Sequence, residues 1–405
     1  MYIKRQLEAS FLEMSDFFKA VLVTGARQVG KTTMLRHLAS ERTYVSLDNG
    51  TDLELARRDP EMFLQRYKPP VIIDEVQKAP ELFPYIKIVC DNSDQRGLFW
   101  LTGSEQFALM RNIQESLAGR IGIMTLYPLS LSELCGVEFA SPLRLDMDSL
   151  LKRARVAKPI DLPSVFQIIW RGGMPAMQGA SAKEHNNYYN AYIDTYLLRD
   201  VMSISSVRDE IRFRRFVAAC AAHSACQLNL TSVASIAEIS VPTAKAWLDL
   251  LCRLHIVYLL QPYSNNRLKR LAKAPKLYFE DPALAAHLGK WLTADNLMNG
   301  NAAGNYFENF VVMELLKELD YSAEPYDLTY FRDSNSKEID LFLEMNGKIH
   351  PLEIKMSANP DRREIKKFEV LDANSIPKGE GGIICMHPTV IPLDKTNCMI
   401  PANVL

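Results

Sequence analysis

One stretch constrains this chain more than any other: Ala20-Val21-Leu22-Val23-Thr24-Gly25-Ala26-Arg27-Gln28-Val29-Gly30-Lys31-Thr32-Thr33. An apolar run that reads as a buried strand empties into Gly25, four open positions, and then Gly30-Lys31-Thr32. Met34, Leu35 and Leu38 follow at helical spacing. Strand, glycine-bounded loop and helix in that order are the context a phosphate-binding P-loop requires. The glycines let the backbone fold tightly, so that N–H groups from Gly25 through Ala26, Arg27, Gln28, Val29, Gly30, Lys31, Thr32 and Thr33 converge on phosphate oxygens. The helix adds the positive end of its dipole. Lys31 is placed to reach the β- and γ-phosphates, and the Thr32 hydroxyl to ligate Mg²⁺.

A second short apolar run, Val71-Ile72-Ile73, ends in Asp74-Glu75. The first carboxylate can hold Mg²⁺ through water beside Thr32, and the second can orient or deprotonate an attacking water. Phe99-Trp100-Leu101-Thr102-Gly103-Ser104 reads as another strand with a polar end. Thr102 or Ser104 could sense a γ-phosphate there, or Ser104 could simply cap the next helix. Arg120 falls between a helix over 105–118 and a strand starting at Ile121. It is either a surface arginine or a group that acts on a neighbouring subunit's γ-phosphate.

The 405 residues suffice for two or three domains. A net charge of −1 supplies no global field toward nucleic acid or a membrane, so any such surface must be local. Seven scattered cysteines without a C-x-x-C pair fit reduced thiols and a cytoplasmic setting. No apolar stretch is long enough to span a bilayer, and no signal core follows the basic start Met1-Tyr2-Ile3-Lys4-Arg5.

The P-loop, Ile73-Asp74-Glu75-Val76-Gln77, Leu101-Thr102-Gly103-Ser104 and Glu115-Ser116-Leu117-Ala118-Gly119-Arg120 together resemble the prokaryotic AAA-type ATPases that carry a C-terminal domain of unknown function. The likeness continues through Arg171-Gly172-Gly173-Met174-Pro175, Leu198-Arg199-Asp200-Val201 and Pro275-Lys276-Leu277-Tyr278-Phe279. It implies ATP as the nucleotide and a five-stranded core with the P-loop strand central. By position, Arg120 is similar to the arginine finger of AAA-type rings, which would make the protein a homo-oligomer.

Past residue 128 the reading becomes modular. Residues 129–212 read as a helical lid or linker. Within them the aromatic stripe Tyr188, Tyr192 and Tyr196 is read as packing, and Asp194, Arg199 and Asp200 as candidates for ion pairs. Residues 213–285 carry a helix-turn-helix pattern, with Thr231 as the cap of its first helix and Trp247, Leu248 and Leu251 on the inner face of its second. Ile256–Leu260 and Lys276–Phe279 could form the wing of a winged helix, and the basic loop 265–273, with Arg267 and Lys269, could touch phosphates. The second helix offers only Lys245 and Arg253, so protein docking is an equal use of the same unit.

Residues 286–405 begin with a helix carrying Glu308, followed by three strand-like runs holding Asp340, Glu353 and Lys355. Glu353 and Lys355 are two apart and share one face of a strand. The set resembles a restriction-endonuclease-like fold, in which Glu308, Asp340 and Glu353 would bind metal and Lys355 would assist cleavage of DNA or RNA. His350 reads as structural. The whole is thus expected to be an α/β protein: a P-loop AAA-type parallel sheet, a helical lid, a winged helix and a nuclease-like α/β domain. It would couple Mg²⁺-dependent ATP hydrolysis either to that domain or, with the nuclease fold inactive, to partner binding.

Overall fold

Five apolar runs build one parallel sheet: β1 (Ala20–Thr24), β2 (Thr43–Ser46), β3 (Val71–Asp74), β4 (Phe99–Thr102) and β5 (Ile121–Thr125). They belong to a computed structural model that describes residues 2–39, 41–103, 117–198, 209–264, 274–333, 337–373 and 376–405. The chain divides into two units, Met1–Leu129 with Arg253–His255, and Ser130–Cys252 with Ile256–Leu405.

In the first unit the strand order is β2-β3-β4-β1-β5, with every neighbouring pair parallel. The P-loop strand is therefore interior, flanked by β4 and β5, while β4 holds the middle place that the resemblance had given to β1. Strands β1, β3 and β4 are buried along their whole length, which is why their sequences run apolar instead of alternating. Helices α1 (Leu7–Phe17), α2 (Lys31–Leu38), α3 (Gly50–Arg58), α4 (Pro60–Arg66) and α5 (Leu82–Asp91) complete this unit among the described residues. The break between α3 and α4 comes from Asp59, whose side chain accepts the Met62 amide, with Pro60 in the first turn. Because all five strands point one way, Thr24, Asp74 and Thr102 end along a single edge.

The second unit holds a nine-stranded mixed sheet. Its strands are β6 (Cys226–Gln227), β7 (Val257–Pro262), β8 (Lys276–Phe279), β9 (Tyr326–Arg332), β10 (Glu338–Met345), β11 (Lys348–Lys355), β12 (Gly381–Cys385), β13 (Ile391–Pro392) and β14 (Asn397–Pro401). They lie in the order β13-β14-β12-β11-β10-β9-β7-β8-β6. The helix Ala303–Ser322 is buried almost throughout. Its charged residues are matched inside: Glu318 accepts Arg153 at 2.8 Å, and Glu314 accepts Lys317 at 2.7 Å.

The helix-turn-helix pattern appears as helices Leu230–Ile236 and Val241–Arg253. The cap of the first is Asn229, which accepts the Ser232 amide at 3.0 Å; Thr231 lies inside the helix, past the position from which a side chain can close its first turn. β7 and β8 pair antiparallel, as a wing would, but β7 also pairs with β9, so both are members of the large sheet. The basic loop 265–273 lies outside the described residues, as do Ser104, Glu115, Ser116, Arg199 and Asp200. Asp194 pairs instead with Arg214 at 2.6 Å. Tyr188, Tyr192 and Tyr196 pack on one another, with Tyr192 buried.

The Arg171–Pro175 and Pro275–Phe279 segments meet through Asp281. Its carboxylate accepts Tyr189 Oη at 2.5 Å and the Gly173 amide at 3.3 Å. Gly172 has φ 85°, and a Cβ there would press on both Tyr189 and Asp281. Among the described residues no helix is long and apolar enough to cross a membrane, and the seven cysteines form no disulfide.

Candidate functional site

β1 delivers the chain into a loop whose backbone is left-handed at Gly25 (φ 130°), Gln28 (φ 65°) and Gly30 (φ 99°). At Gly25 only hydrogen fits, since a Cβ would strike the Leu126 carbonyl oxygen beyond β5. Val29 is fully buried and anchors the loop, while Gln28 and Thr33 are exposed. Lys31 opens α2 and curls back, its ammonium donating to the carbonyls of Gly25 at 2.9 Å and Ala26 at 2.8 Å. Burial lowers its pKa to about 8, with Glu75 and Asp74 opposing and Arg27 reinforcing the shift. A buried ammonium held by neutral carbonyls gains much from a phosphate, so the loop fits a nucleotide.

Asp74 is the hub of the sheet edge. Its Oδ1 accepts Thr32 Oγ1 at 2.7 Å and also the Thr102 hydroxyl, and its Oδ2 accepts Tyr44 Oη at 3.0 Å. Three hydroxyls from α2, β4 and β2 thus fix one carboxylate beside the P-loop helix. Burial first, then Asp74, raise the Tyr44 pKa to about 12, so the phenol remains a donor at neutral pH. Glu75 takes a left-handed conformation (φ 59°), uncommon for a residue with a side chain and a frequent mark of functional turns. Its amide donates to Thr102 Oγ1 at 3.1 Å, and Gln77 donates to its carboxylate. Of the two candidates at the end of β4, Thr102 belongs to this network and Ser104 lies outside the described residues.

Two arginines frame the unit. Arg5 is buried and donates to the carbonyls of Val29 at 2.7 Å and Tyr127 at 2.6 Å, bracing the loop from the opposite side. Nothing in its local sequence marks it, because its partners lie 24 and 122 residues away. Tyr44 was missed for a related reason: its role depends on which strand neighbours β3. Arg120 precedes β5, whose first residue pairs with Ala20 at the start of β1. It therefore sits at the opposite edge of the sheet from the P-loop, roughly 16 Å away along five residues of strand. There it pairs with Asp91 beside a cleft of about 450 Å³ that Phe17, Lys19 and Arg96 also line.

The second unit gathers its own charged cluster. Glu308, Asp340, Glu353 and Lys355 come together, and Lys276, Glu338 and Lys367 join them. Lys355 Nζ lies 2.8 Å from Glu353 Oε2 and 3.5 Å from Asp340 Oδ2, and Lys367 Nζ 3.2 Å from Glu353 Oε2. Asp340 sits where the β9–β10 register shifts, and its Oδ2 accepts the Ile354 amide of β11 at 2.8 Å. Burial and Asp340 push the Glu353 carboxyl up to about 7; burial raises Glu308 to about 6 against the pull of Lys276. Among the described residues no group of three or more His, Cys, Asp or Glu is arranged to hold a metal ion. His350 is a packing residue: its Nδ1 lies 2.7 Å from the Glu380 carbonyl, and its ring lies against Gly379.

A parallel sheet of this order, with a glycine-bounded loop, a buried lysine and an Asp-Glu strand end, has the features of a P-loop unit. Residues 17–135 match the family described as AAA domain. Residues 162–295 and 303–405 match two families described as domains of unknown function, DUF8612 and DUF4143. The chain is 26% identical over 388 residues to the uncharacterized protein Mb2031c of Mycobacterium bovis and, to the same extent, to the uncharacterized protein Rv2008c of Mycobacterium tuberculosis. Each match spans 95% of this chain and 80% of the relative. Among solved structures it is similar to the Walker-type ATPase PABY2304 of Pyrococcus abyssi, at 15% identity and a TM-score of 0.45, covering 71% of this chain and 96% of that one.

Proposed function

We propose that this protein binds and hydrolyses ATP with Mg²⁺, and that nucleotide state controls what its second unit binds. The observation that carries the first part is the convergence of Thr32, Thr102 and Tyr44 on Asp74, next to Lys31 and Glu75. Thr32 and, through water, Asp74 would hold Mg²⁺, which supplies charge shielding to the phosphates. Lys31 leaves the loop carbonyls for the β- and γ-phosphate oxygens. Glu75 orients the attacking water and takes its proton. Thr102 relays the position of Asp74 to the Glu75 amide, since it bonds both. Arg120, at the far edge of the sheet, is out of reach of its own P-loop and serves the nucleotide of a second copy. Lys31→Ala is expected to abolish ATP turnover, and unchanged turnover in that variant sinks the assignment.

For the output, two readings stand: Mg²⁺-dependent cleavage of DNA or RNA at Asp340, Glu353 and Lys355, or partner binding by a nuclease-like fold that does not cut. The second is favoured by the charge balance of the cluster: Lys276 faces Glu308 and Glu338, and Lys355 and Lys367 face Glu353 Oε2, leaving Glu353 Oε1 as the buried carboxylate oxygen without a hydrogen-bond partner. The exposed face of the helix Val241–Arg253 points the same way: Val241, Pro242, Ala246 and Asp249 interleave with its two basic residues, Lys245 and Arg253, in a mixed surface better suited to a protein than to a phosphate backbone. Incubating the protein with single- and double-stranded DNA and RNA, with Mg²⁺ or Mn²⁺ and with or without ATP, separates the two. Cleavage lost on Asp340→Ala would restore the first reading.

A further inference from the structure

The nuclease-like cluster carries its own cation. Lys276 opens β8 and is 3% exposed. Its ammonium lies 2.6 Å from Glu338 Oε1, 3.0 Å from Glu308 Oε1 and 4.0 Å from Asp340 Oδ1, with the Tyr330 ring 5.6 Å away. Carboxylates from the helix Ala303–Ser322 and from the first and third residues of β10 thus face one buried positive charge. A divalent ion would need these oxygens turned to a common point at about 2.0–2.6 Å, with six or more donors in all. They are committed elsewhere. Glu308 Oε1 takes Lys276 and the Tyr278 hydroxyl at 2.8 Å; Asp340 Oδ2 takes the Ile354 amide and faces Lys355; Glu338 Oε2 lies 3.5 Å from Arg332. Glu353 Oε1 is buried without a partner, but the metal that a nuclease-like fold implies does not fit between Glu308, Glu338 and Asp340 as they stand, because the Lys276 ammonium lies among them. Lys276 is compact, singly charged and able to donate three hydrogen bonds, which suits it to that centre.

We propose that Lys276 stands in the place of the divalent metal, closing the constellation to metal ions and tying β8 to β10 and to the helix Ala303–Ser322. This deepens the non-cleaving reading above and rests on it. Neither an unpartnered lysine nor unpartnered carboxylates would be tolerated at this depth, so the two compensate one another. Removing the ammonium should leave carboxylates that need a cation, and a divalent ion is the simplest replacement.

The test is a Mn²⁺ titration of the full chain without nucleotide, followed by the electron paramagnetic resonance of free Mn²⁺, beside thermal melts in EDTA and in Mn²⁺. Native protein and Asp340→Asn are expected to bind Mn²⁺ alike and to melt the same with or without it. Lys276→Met is expected to melt lower in EDTA, to recover in Mn²⁺ and to bind one further ion per chain, which adding Asp340→Asn removes. A Lys276→Met chain that folds but gains no ion overturns the proposal. So does a native chain holding an ion that Asp340→Asn or Glu308→Gln loses, and this arm decides the matter even if Lys276→Met does not fold. Failure of the non-cleaving reading shows separately, as metal-dependent cleavage by the native chain.

Discussion

Tyr44 shows how much of a site can rest on one hydroxyl. It donates to Asp74 Oδ2 at 3.0 Å from the neighbouring strand, while Thr32 and Thr102 hold Oδ1. Removing the phenol oxygen leaves the ring over which the Arg36 guanidinium lies at 4.9 Å, so packing is kept and only the hold on Asp74 is lost. One such hydrogen bond to a charged group contributes about 1.5 kcal/mol. Tyr44→Phe should therefore raise the Mg²⁺ concentration needed for half-maximal ATP turnover by about tenfold, with the melting temperature nearly unchanged. An unchanged Mg²⁺ requirement would mean that Thr32 and Thr102 fix Asp74 without help.

At the scale of elements, Asp281 couples two motifs that lie about a hundred residues apart in sequence, and its titration is a direct probe of that junction. Burial raises its pKa, opposed by Tyr189 Oη and the Gly173 amide. A carboxyl whose folded pKa is raised adds stability below its unfolded pKa near 3.8, and that contribution is lost as pH rises through the folded value. Asp281→Asn keeps the shape and removes the titration. Relative to that variant, native protein should lose unfolding free energy as pH rises above 4; denaturant melts across pH check this, and a gain would contradict it. The junction also marks where the sequence was readable. The strand–loop–helix of residues 20–38, the α3–α4 break at Pro60 and the strands β10 and β11 all have local causes: an apolar run before a glycine-bounded loop, a proline, and short apolar runs. Arg5, Tyr44, Asp281 and Lys276 do not. Each is a polar residue whose meaning depends on a distant partner, and β7 joining β9 is likewise a long-range pairing. Lys276 was visible only as part of a matched motif, with no role attached, because nothing near it in sequence shows that Glu308 and Glu338 lie around it.

For the whole molecule, the role proposed for Arg120 concerns assembly. It sits at the edge of the sheet opposite the P-loop, so within one chain it is out of reach of a γ-phosphate held there. Mixing Lys31→Ala, which keeps Arg120, with Arg120→Ala, which keeps the loop, should restore part of the turnover that each lacks alone; no restoration at any ratio would return Arg120 to its bond with Asp91 as its only role. The central claim is that the Asp74–Glu75 edge is a hydrolytic site and not merely a nucleotide-binding one. Glu75→Gln keeps the side chain's size and can still accept from Gln77, but it cannot take a proton. The measurement that tests the claim most directly is single-turnover hydrolysis of Mg²⁺·ATP by this variant, alongside its affinity for ATP. The account predicts near-native affinity with hydrolysis slowed by about 10²–10⁴-fold. Hydrolysis at the native rate would contradict it.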